Sequence, residues 1–213
     1  MARKLVSDEV THHLTALVPK RPAELARMER IAARTDFPII GPIVGQLCYL
    51  LTRQQNARRV FELGSGYGYS TAWFARGVHE NGGGEVHHVV WDEDLSARAR
   101  THLEVLGLSS VVRYTVGEAV QALRAAEGTF DVIFNDINKR DYPASLAVIE
   151  EKLRPGGLLI TDNVLWSGRI FDKRDRSPDT EGVRKFTRMV ARSPRWTMSI
   201  IPIRDGVLVA RRH

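Results

Sequence analysis

The chain has 213 residues, 43% of them hydrophobic, which is typical of one globular domain with a substantial core. It contains no run near the roughly 20 apolar residues that span a bilayer, and its N-terminus lacks the apolar core of a signal peptide. We therefore predict a cytoplasmic protein without membrane contact. The net charge of +6 is compatible with nucleic acid, but the arginines are spread along the chain without a basic block, which disfavours that partner.

The predicted elements start with helices, alternate through the middle of the chain and end in a hairpin. Helices are predicted over 7–18, 22–34 and 43–55, then strands over 58–63, 85–91, 110–115, 130–135 and 157–162 that alternate with helices over 69–79, 94–106, 117–126 and 142–153. Gly82-Gly-Gly84 and Pro155-Gly-Gly157 are predicted turns before the second and fifth strands. A helix over 179–192 precedes two strands, 196–203 and 207–211, which an Asp-Gly turn joins.

This alternation predicts βαβ units, and hence an α/β, Rossmann-like parallel sheet with N-terminal helices and a C-terminal antiparallel hairpin. We predict one domain over 1–213, with N-terminal helices over 1–56 and the Rossmann-like core over 57–213.

A glycine-rich turn follows the first predicted strand, in the segment Glu62-Leu-Gly-Ser-Gly-Tyr-Gly-Tyr-Ser70. Gly64 and Gly66 allow a tight turn and close approach of a ligand at the next helix N-terminus. Tyr69 stands where a dinucleotide fingerprint needs a small residue, which disfavours NAD. Glu62 suits a ligand with hydrogen-bond donors, such as the amino group and ribose of S-adenosylmethionine. The alternative is a glycine turn that binds nothing.

Acidic and amide side chains follow the fourth and fifth strands. Asp136 ends the fourth strand, and Asp162 and Asn163 end the fifth. Neighbouring parallel strands end at the same sheet edge, so these oxygens should converge beside the glycine turn. An all-oxygen set favours Mg²⁺ over zinc. The alternative is that each acid only caps the segment that follows it.

At these residues the chain resembles the cation-dependent O-methyltransferases of the catechol and caffeoyl-CoA type, which are class I methyltransferases. The resemblance rests on the glycine turn, on Phe130-Asp-Val-Ile-Phe-x-Asp136-x-x-Lys139, and on Asp162-Asn-Val-Leu-Trp-x-Gly168. It extends over about residues 35–211 and includes Pro194-Arg-Trp196 and Ile201-Pro-Ile-Arg-Asp-Gly-Val207 near the end.

The resemblance implies a role for each matching residue. Asp136, Asp162 and Asn163 would hold the divalent cation, and Lys139 would accept the proton. The cofactor would contact Glu62, Gly64, Ser65, Gly66, Ser70, Glu118, Ala119 and Asp136, with Glu118 and Ala119 near adenine. Trp166 and Arg169 would form part of the acceptor pocket, with a core aromatic and a solvated charge as the alternatives. The family also implies a homodimer.

One position departs from the family pattern. Val90 stands at the end of the second strand, where the family has an acid that accepts the ribose hydroxyls. Asp92 lies two residues on, points to the same side by strand alternation and could replace that acid. Asp92 is also well placed as the N-cap of the next helix.

The sequence thus predicts a Mg²⁺-dependent enzyme that moves a methyl group from S-adenosylmethionine to a hydroxyl of a small catechol-like diol. The first alternative is methylation of a hydroxylated tRNA base, which the basic charge motivates. The second is a non-catalytic binding protein on the same fold, which Val90 motivates.

Overall fold

The computed structural model describes residues 5–213. The first four residues, which belong to the predicted domain and to the N-terminus examined for a signal peptide, lie outside the described part. The helices are α1 (Asp8–Leu17), α2 (Ala23–Thr35), α3 (Gly41–Gln54), α4 (Tyr69–Glu80), α5 (Glu93–Val105), α6 (Ala119–Ala125), α7 (Tyr142–Lys152) and α8 (Pro178–Arg192). The strands are β1 (Arg59–Leu63), β2 (Glu85–Val90), β3 (Val112–Val116), β4 (Phe130–Asn135), β5 (Leu153–Thr161), β6 (Trp196–Ile201) and β7 (Val207–Arg212).

The strands form one seven-stranded sheet in the order β3-β2-β1-β4-β5-β7-β6. The strands β1 to β5 pair with one another in parallel, whereas β7 is antiparallel to both β5 and β6. The predicted α/β class with a terminal hairpin is therefore confirmed. This order places the carboxyl ends of β1, β2, β4 and β5 side by side, where ligands of open α/β sheets bind.

Apolar side chains cover both faces of the sheet, as expected for a parallel sheet buried between helices. One cluster joins β1 and β2 to α3 and α4 and includes the fully buried Val44, Trp73 and Phe74. The other joins β4 and β5 to α7 and α8 and includes the fully buried Tyr142 and Phe186. The sheet is thus fixed from both sides, which holds its carboxyl edge rigidly.

The fifth strand differs from its predicted form. Its pairing with β4 begins at Leu153, shifts register between Phe130 and Val132, and resumes at Leu158. The Pro155-Gly-Gly157 segment is therefore an irregularity inside β5, and the prediction of a turn before the strand is wrong. Only glycine fits at position 157 without a steric clash, because the Cβ of any other residue would lie 2.9 Å from the carbonyl oxygen of Asp131.

Within residues 5–213, every helix is too short or too polar to cross a bilayer. Whether residues 1–213 form one folding unit stays a prediction.

Candidate active site

A cavity of about 810 Å³ lies at the carboxyl edge of the sheet. Most of the predicted site residues line it: Gly64, Ser65, Gly66, Ser70, Glu118, Ala119, Asp136, Lys139, Asp162, Asn163 and Trp166. Glu62, Asp92 and Arg169 do not. The structure thus brings residues from the ends of β1, β3, β4 and β5 into one space.

The glycine turn packs directly against the end of β4. Gly64 has φ +88°, and a Cβ there would lie 2.7 Å from the carbonyl oxygen of Asp136. The close approach that requires glycine is therefore to the neighbouring strand, whereas the sequence suggested an approach to the ligand. The Asp136 backbone N–H also donates to the Leu63 carbonyl at 2.9 Å. These contacts hold Asp136 beside the turn.

Glu62 lies beneath the turn and is fully buried. Burial raises the pKa of its carboxyl to about 7, and the nearby hydroxyls of Ser70, Thr71 and Ser65 oppose that rise. Neither carboxylate oxygen receives a hydrogen bond of normal geometry. A buried acid with incomplete hydrogen bonding is costly, and such groups concentrate at functional sites. Its contact with a cofactor stays a prediction, since both oxygens are covered in this conformation.

Lys139 is held between a carboxylate and two aromatic faces. Its Nζ donates to Asp136 Oδ1 at 2.7 Å and to the Ile137 carbonyl at 3.3 Å. The same nitrogen lies 5.3 Å from the ring centre of Tyr142 and 5.8 Å from that of Trp166. The side chain is only 11% exposed. Lys139 is therefore a fixed group on the cavity wall and not a solvated surface lysine.

Asp162 and Asn163 form the adjoining wall. Asp162 is 5% exposed, and its Oδ1 accepts the Asn163 backbone N–H at 2.8 Å. Burial raises the pKa of the Asp162 carboxyl, and the negative charge of Asp136 raises it further. The two carboxylates are therefore close enough to repel each other, and a bound cation would relieve that repulsion.

The donor set of Asp136, Asp162 and Asn163 contains two carboxylates and one amide. Within the described residues there is no group of three or more His, Cys, Asp or Glu side chains arranged to hold a metal. A divalent cation at this set would keep open positions for water or substrate oxygens, as Mg²⁺ usually does. The chemistry of the three oxygens fits a hard cation, and their role as ligands stays a prediction.

Asp205 supports this wall from the terminal hairpin, a role that the sequence reasoning missed. Its carboxylate accepts a hydrogen bond from the Ser167 backbone N–H, and the Asn163 side chain lies close enough to lower the pKa of that carboxyl, which burial raises. The backbone of the hairpin also receives the N–H groups of Val164 and Leu165 at 3.0 and 2.9 Å. In the sequence this Asp-Gly pair indicated a turn and belonged to a segment that resembles the family, but it gave no sign of this contact.

Arg204 was also missed. It lines the cavity, and its Nη1 donates to the Ile39 carbonyl at 2.6 Å. Phe37 lies on the same wall and packs edge-on against Tyr67, with ring centres 4.9 Å apart. The hairpin thereby fixes the segment between α2 and α3 as a side of the cavity. The only sequence signal there was a Pro/Gly-bearing break between helices.

The two predicted acceptor-pocket residues separate in the structure. Trp166 lines the cavity beside Lys139. Arg169 instead binds Asp175 Oδ2 at 2.7 Å and Ser177 Oγ at 3.0 Å, and its guanidinium lies 5.7 Å from the Trp166 ring centre. Arg169 thus braces the loop behind Trp166, and its contact with an acceptor stays a prediction.

The residues near the end of β2 divide into one that lines the cavity and acids that cap the following helices. Val90 lines it, whereas Asp92 Oδ1 accepts the Leu95 backbone N–H at 2.8 Å and so caps α5. Glu118 caps α6 in the same way, with its two oxygens accepting from Val120 and Gln121 at 2.9 and 2.6 Å. The capping role considered for Asp92 is therefore observed, and its ribose role stays a prediction.

Comparison of the sequence with known proteins identifies the family of the chain. A sequence model described as O-methyltransferase matches residues 21–213. The chain belongs to this family. A catechol O-methyltransferase of Niastella koreensis is 29% identical over 191 residues, covering 87% of this chain and 86% of that protein.

Solved structures agree with the family assignment. The O-methyltransferase TomG of Streptomyces achromogenes, solved with SAM, superposes with a TM-score of 0.86 at 28% identity, covering 96% of each chain. An O-methyltransferase of Bacillus cereus, solved with SAH, gives 0.87 at 27% identity, covering 96% of this chain and 97% of that one. The predicted family, enzyme class and Rossmann-like fold are confirmed.

Proposed function

We propose that this O-methyltransferase moves a methyl group from S-adenosylmethionine to one hydroxyl of a small vicinal diol, in a Mg²⁺-dependent reaction. The observation that carries the proposal is the joint placement of Asp136, Lys139, Asp162 and Asn163 on one cavity, next to the glycine turn. The cytoplasm remains the predicted location.

The cofactor proposal rests on the glycine turn and on the relatives. The proteins from Streptomyces achromogenes and Bacillus cereus were solved with SAM and SAH, and the same fold here has a cavity at the carboxyl edge of its sheet. Ser65, Ser70 and the turn backbone offer hydrogen-bond groups on its wall. The buried, incompletely paired Glu62 fits a partner with donors such as an ammonium group.

Asp136, Asp162 and Asn163 would hold the cation. When bound, the cation supplies Lewis-acid chemistry that favours ionisation of a diol hydroxyl. The three protein oxygens would hold it, and the mutual repulsion of the two carboxylates would favour binding of a positive charge between them. Asp205 would hold the loop that carries Asn163 in place, through its contacts with the backbone N–H groups of Ser167 and Leu165.

Lys139 Nζ, in its neutral amine form, is the group that would take the acceptor proton and become an ammonium. Its carboxylate and carbonyl partners hold the nitrogen on the cavity wall, so that a bound hydroxyl can reach it without rearrangement of the backbone. As the proton moves to Nζ, the oxygen attacks the methyl carbon, the S–CH₃ bond breaks, and the sulfonium becomes a neutral thioether. Trp166 excludes water from one side of this space.

The test is a methyl-transfer assay with a panel of catechols, read by mass spectrometry with and without a chelator. Asp136→Ala should abolish turnover, whereas Glu151→Gln, at an exposed site on α7, should leave it unchanged. Undiminished transfer in the presence of chelator would contradict the metal role. Transfer to tRNA but to no small diol would favour the nucleic-acid alternative.

A further inference from the structure

The end of β2 presents an apolar surface to the cavity. Val90 is 8% exposed and is followed by Trp91, which is 70% exposed; both line the cavity. The Ser65 backbone N–H donates to the Val89 carbonyl at 3.0 Å, and the Gly117 N–H donates to the Val90 carbonyl at 2.9 Å. The end of β2 is thus fixed between the glycine turn and the residue before the α6 cap.

In open α/β sheets that bind nucleotides, an acid near the end of the second strand accepts the ribose hydroxyls. The acids nearest the end of β2 are engaged in other contacts here. Asp92 is outside the cavity and occupied as the α5 cap, and both Glu118 oxygens accept backbone N–H groups. Glu62 is buried beneath the turn.

Trp91 offers another way to hold a nucleoside. A large apolar side chain that is mostly exposed at the rim of a cavity is unusual, and Trp91 is such a residue. Nucleosides pack well on such surfaces because every base and sugar has an apolar face. Binding would cover this exposed apolar area.

We propose that Val90 and Trp91 hold the nucleoside part of the cofactor by apolar packing, without a carboxylate on the ribose. The site then discriminates little between ribose and deoxyribose. This inference rests on the proposed function, since it takes S-adenosylmethionine as the cofactor.

The experiment is calorimetric titration of the full chain with S-adenosylhomocysteine and with its 2′-deoxy analogue. The wild-type dissociation constants should agree within about threefold, since no charge-assisted hydrogen bond to the hydroxyl is lost. Val90→Asp should tighten binding of the ribose ligand alone by about tenfold or more, while Val90→Leu, which keeps the surface apolar, should keep the wild-type ratio.

Tryptophan fluorescence gives a second readout that does not depend on Val90. Binding should change the emission of the wild type, and Trp91→Phe should remove most of that change. Trp91→Ala should weaken both ligands by the same factor, about tenfold.

A wild-type preference for the ribose ligand of more than about tenfold would overturn the inference, because a hydroxyl acceptor must then exist. Equal affinity of Trp91→Ala and wild type would also overturn it. Both results leave the methyltransferase proposal intact. If the folded wild type binds neither ligand, the cofactor proposal itself fails, and this inference fails with it.

Discussion

Lys139 Nζ donates a 2.7 Å hydrogen bond to the Asp136 carboxylate on the wall of the cavity, and the two residues are three apart in sequence. The chain turns tightly after β4, which places both side chains on the same side. Asp136 therefore serves two functions in our proposal, as a cation ligand and as the partner that positions the proton acceptor.

Replacement of Lys139 tests the second function. Lys139→Ala should lower kcat by about 10²–10⁴-fold, the usual contribution of general base catalysis. Lys139→Arg should be nearly as slow, because arginine keeps the charge but stays protonated. Binding of S-adenosylhomocysteine, measured by calorimetry, should persist in both variants. Full turnover by Lys139→Arg would show that charge alone is required.

Thermal unfolding tests the cation site without an acceptor. Mg²⁺ at 100 times its dissociation constant should stabilise the wild type by about 2.7 kcal/mol, or several degrees in Tm. Asp162→Asn should not be stabilised by Mg²⁺. Without metal at pH 8 this variant should be at least as stable as the wild type, because the charge repulsion between positions 136 and 162 is removed. An unchanged Mg²⁺ response in Asp162→Asn would place the cation elsewhere.

Much of this site could be predicted because its residues directly follow hydrophobic strands. The acids after β4 and β5 are local signals, and parallel pairing brings them together. The contacts of Arg204 with Ile39 and of Asp205 with Ser167 and Asn163 join segments far apart in the chain, so no local pattern indicates them. The burial of Glu62 and the register shift in β5 depend on packing against neighbouring elements, so the local sequence could not predict them either.

The buried Glu62 predicts a pH dependence of stability. Its folded pKa of about 7 lies above the ordinary value of 4.5, so the folded state binds the proton more tightly than the unfolded state does. The associated stability is fully present below about pH 4.5 and is lost as the pH rises through 7, a change of roughly 3 kcal/mol. Glu62→Gln should remove this loss.

Denaturant unfolding of wild type and Glu62→Gln at pH 5 and pH 8 measures that difference. The free energy of unfolding of the variant, minus that of the wild type, should be larger at pH 8 than at pH 5. A constant difference would mean that Glu62 is ionised throughout and paired by the surrounding hydroxyls.

Gly64 predicts a steric effect on stability. Gly64→Ala combines a positive φ with a Cβ 2.7 Å from the Asp136 carbonyl oxygen. Gly83→Ala is a matched control, because Gly83 has φ +91° and no atom within 4 Å of its added Cβ. Backbone strain should lower the free energy of unfolding of both variants by about 1 kcal/mol. The steric contact should lower that of Gly64→Ala further, and Gly64→Ala should also bind Mg²⁺ more weakly. Equal losses by unfolding measurements would argue against the close packing of the turn on β4.

The outer surface of α1 predicts self-association. The helix has no buried residue, and Val10 and Leu17 are 47% and 66% exposed. We expect a homodimer through the N-terminal helices, which Leu17→Lys should weaken. Val105→Lys, at a similarly exposed site on α5, should not affect it. Light scattering after size-exclusion chromatography measures the mass of each variant, and a monomeric wild type would contradict this expectation.

The most direct test of the central claim is an anomalous diffraction map of crystals grown with Mn²⁺, S-adenosylhomocysteine and a catechol. Our account predicts one manganese peak coordinated by Asp136, Asp162 and Asn163, with both catechol oxygens on the metal and one of them next to Lys139 Nζ. A manganese peak away from these three residues, or a catechol bound without contact to Lys139, would contradict it.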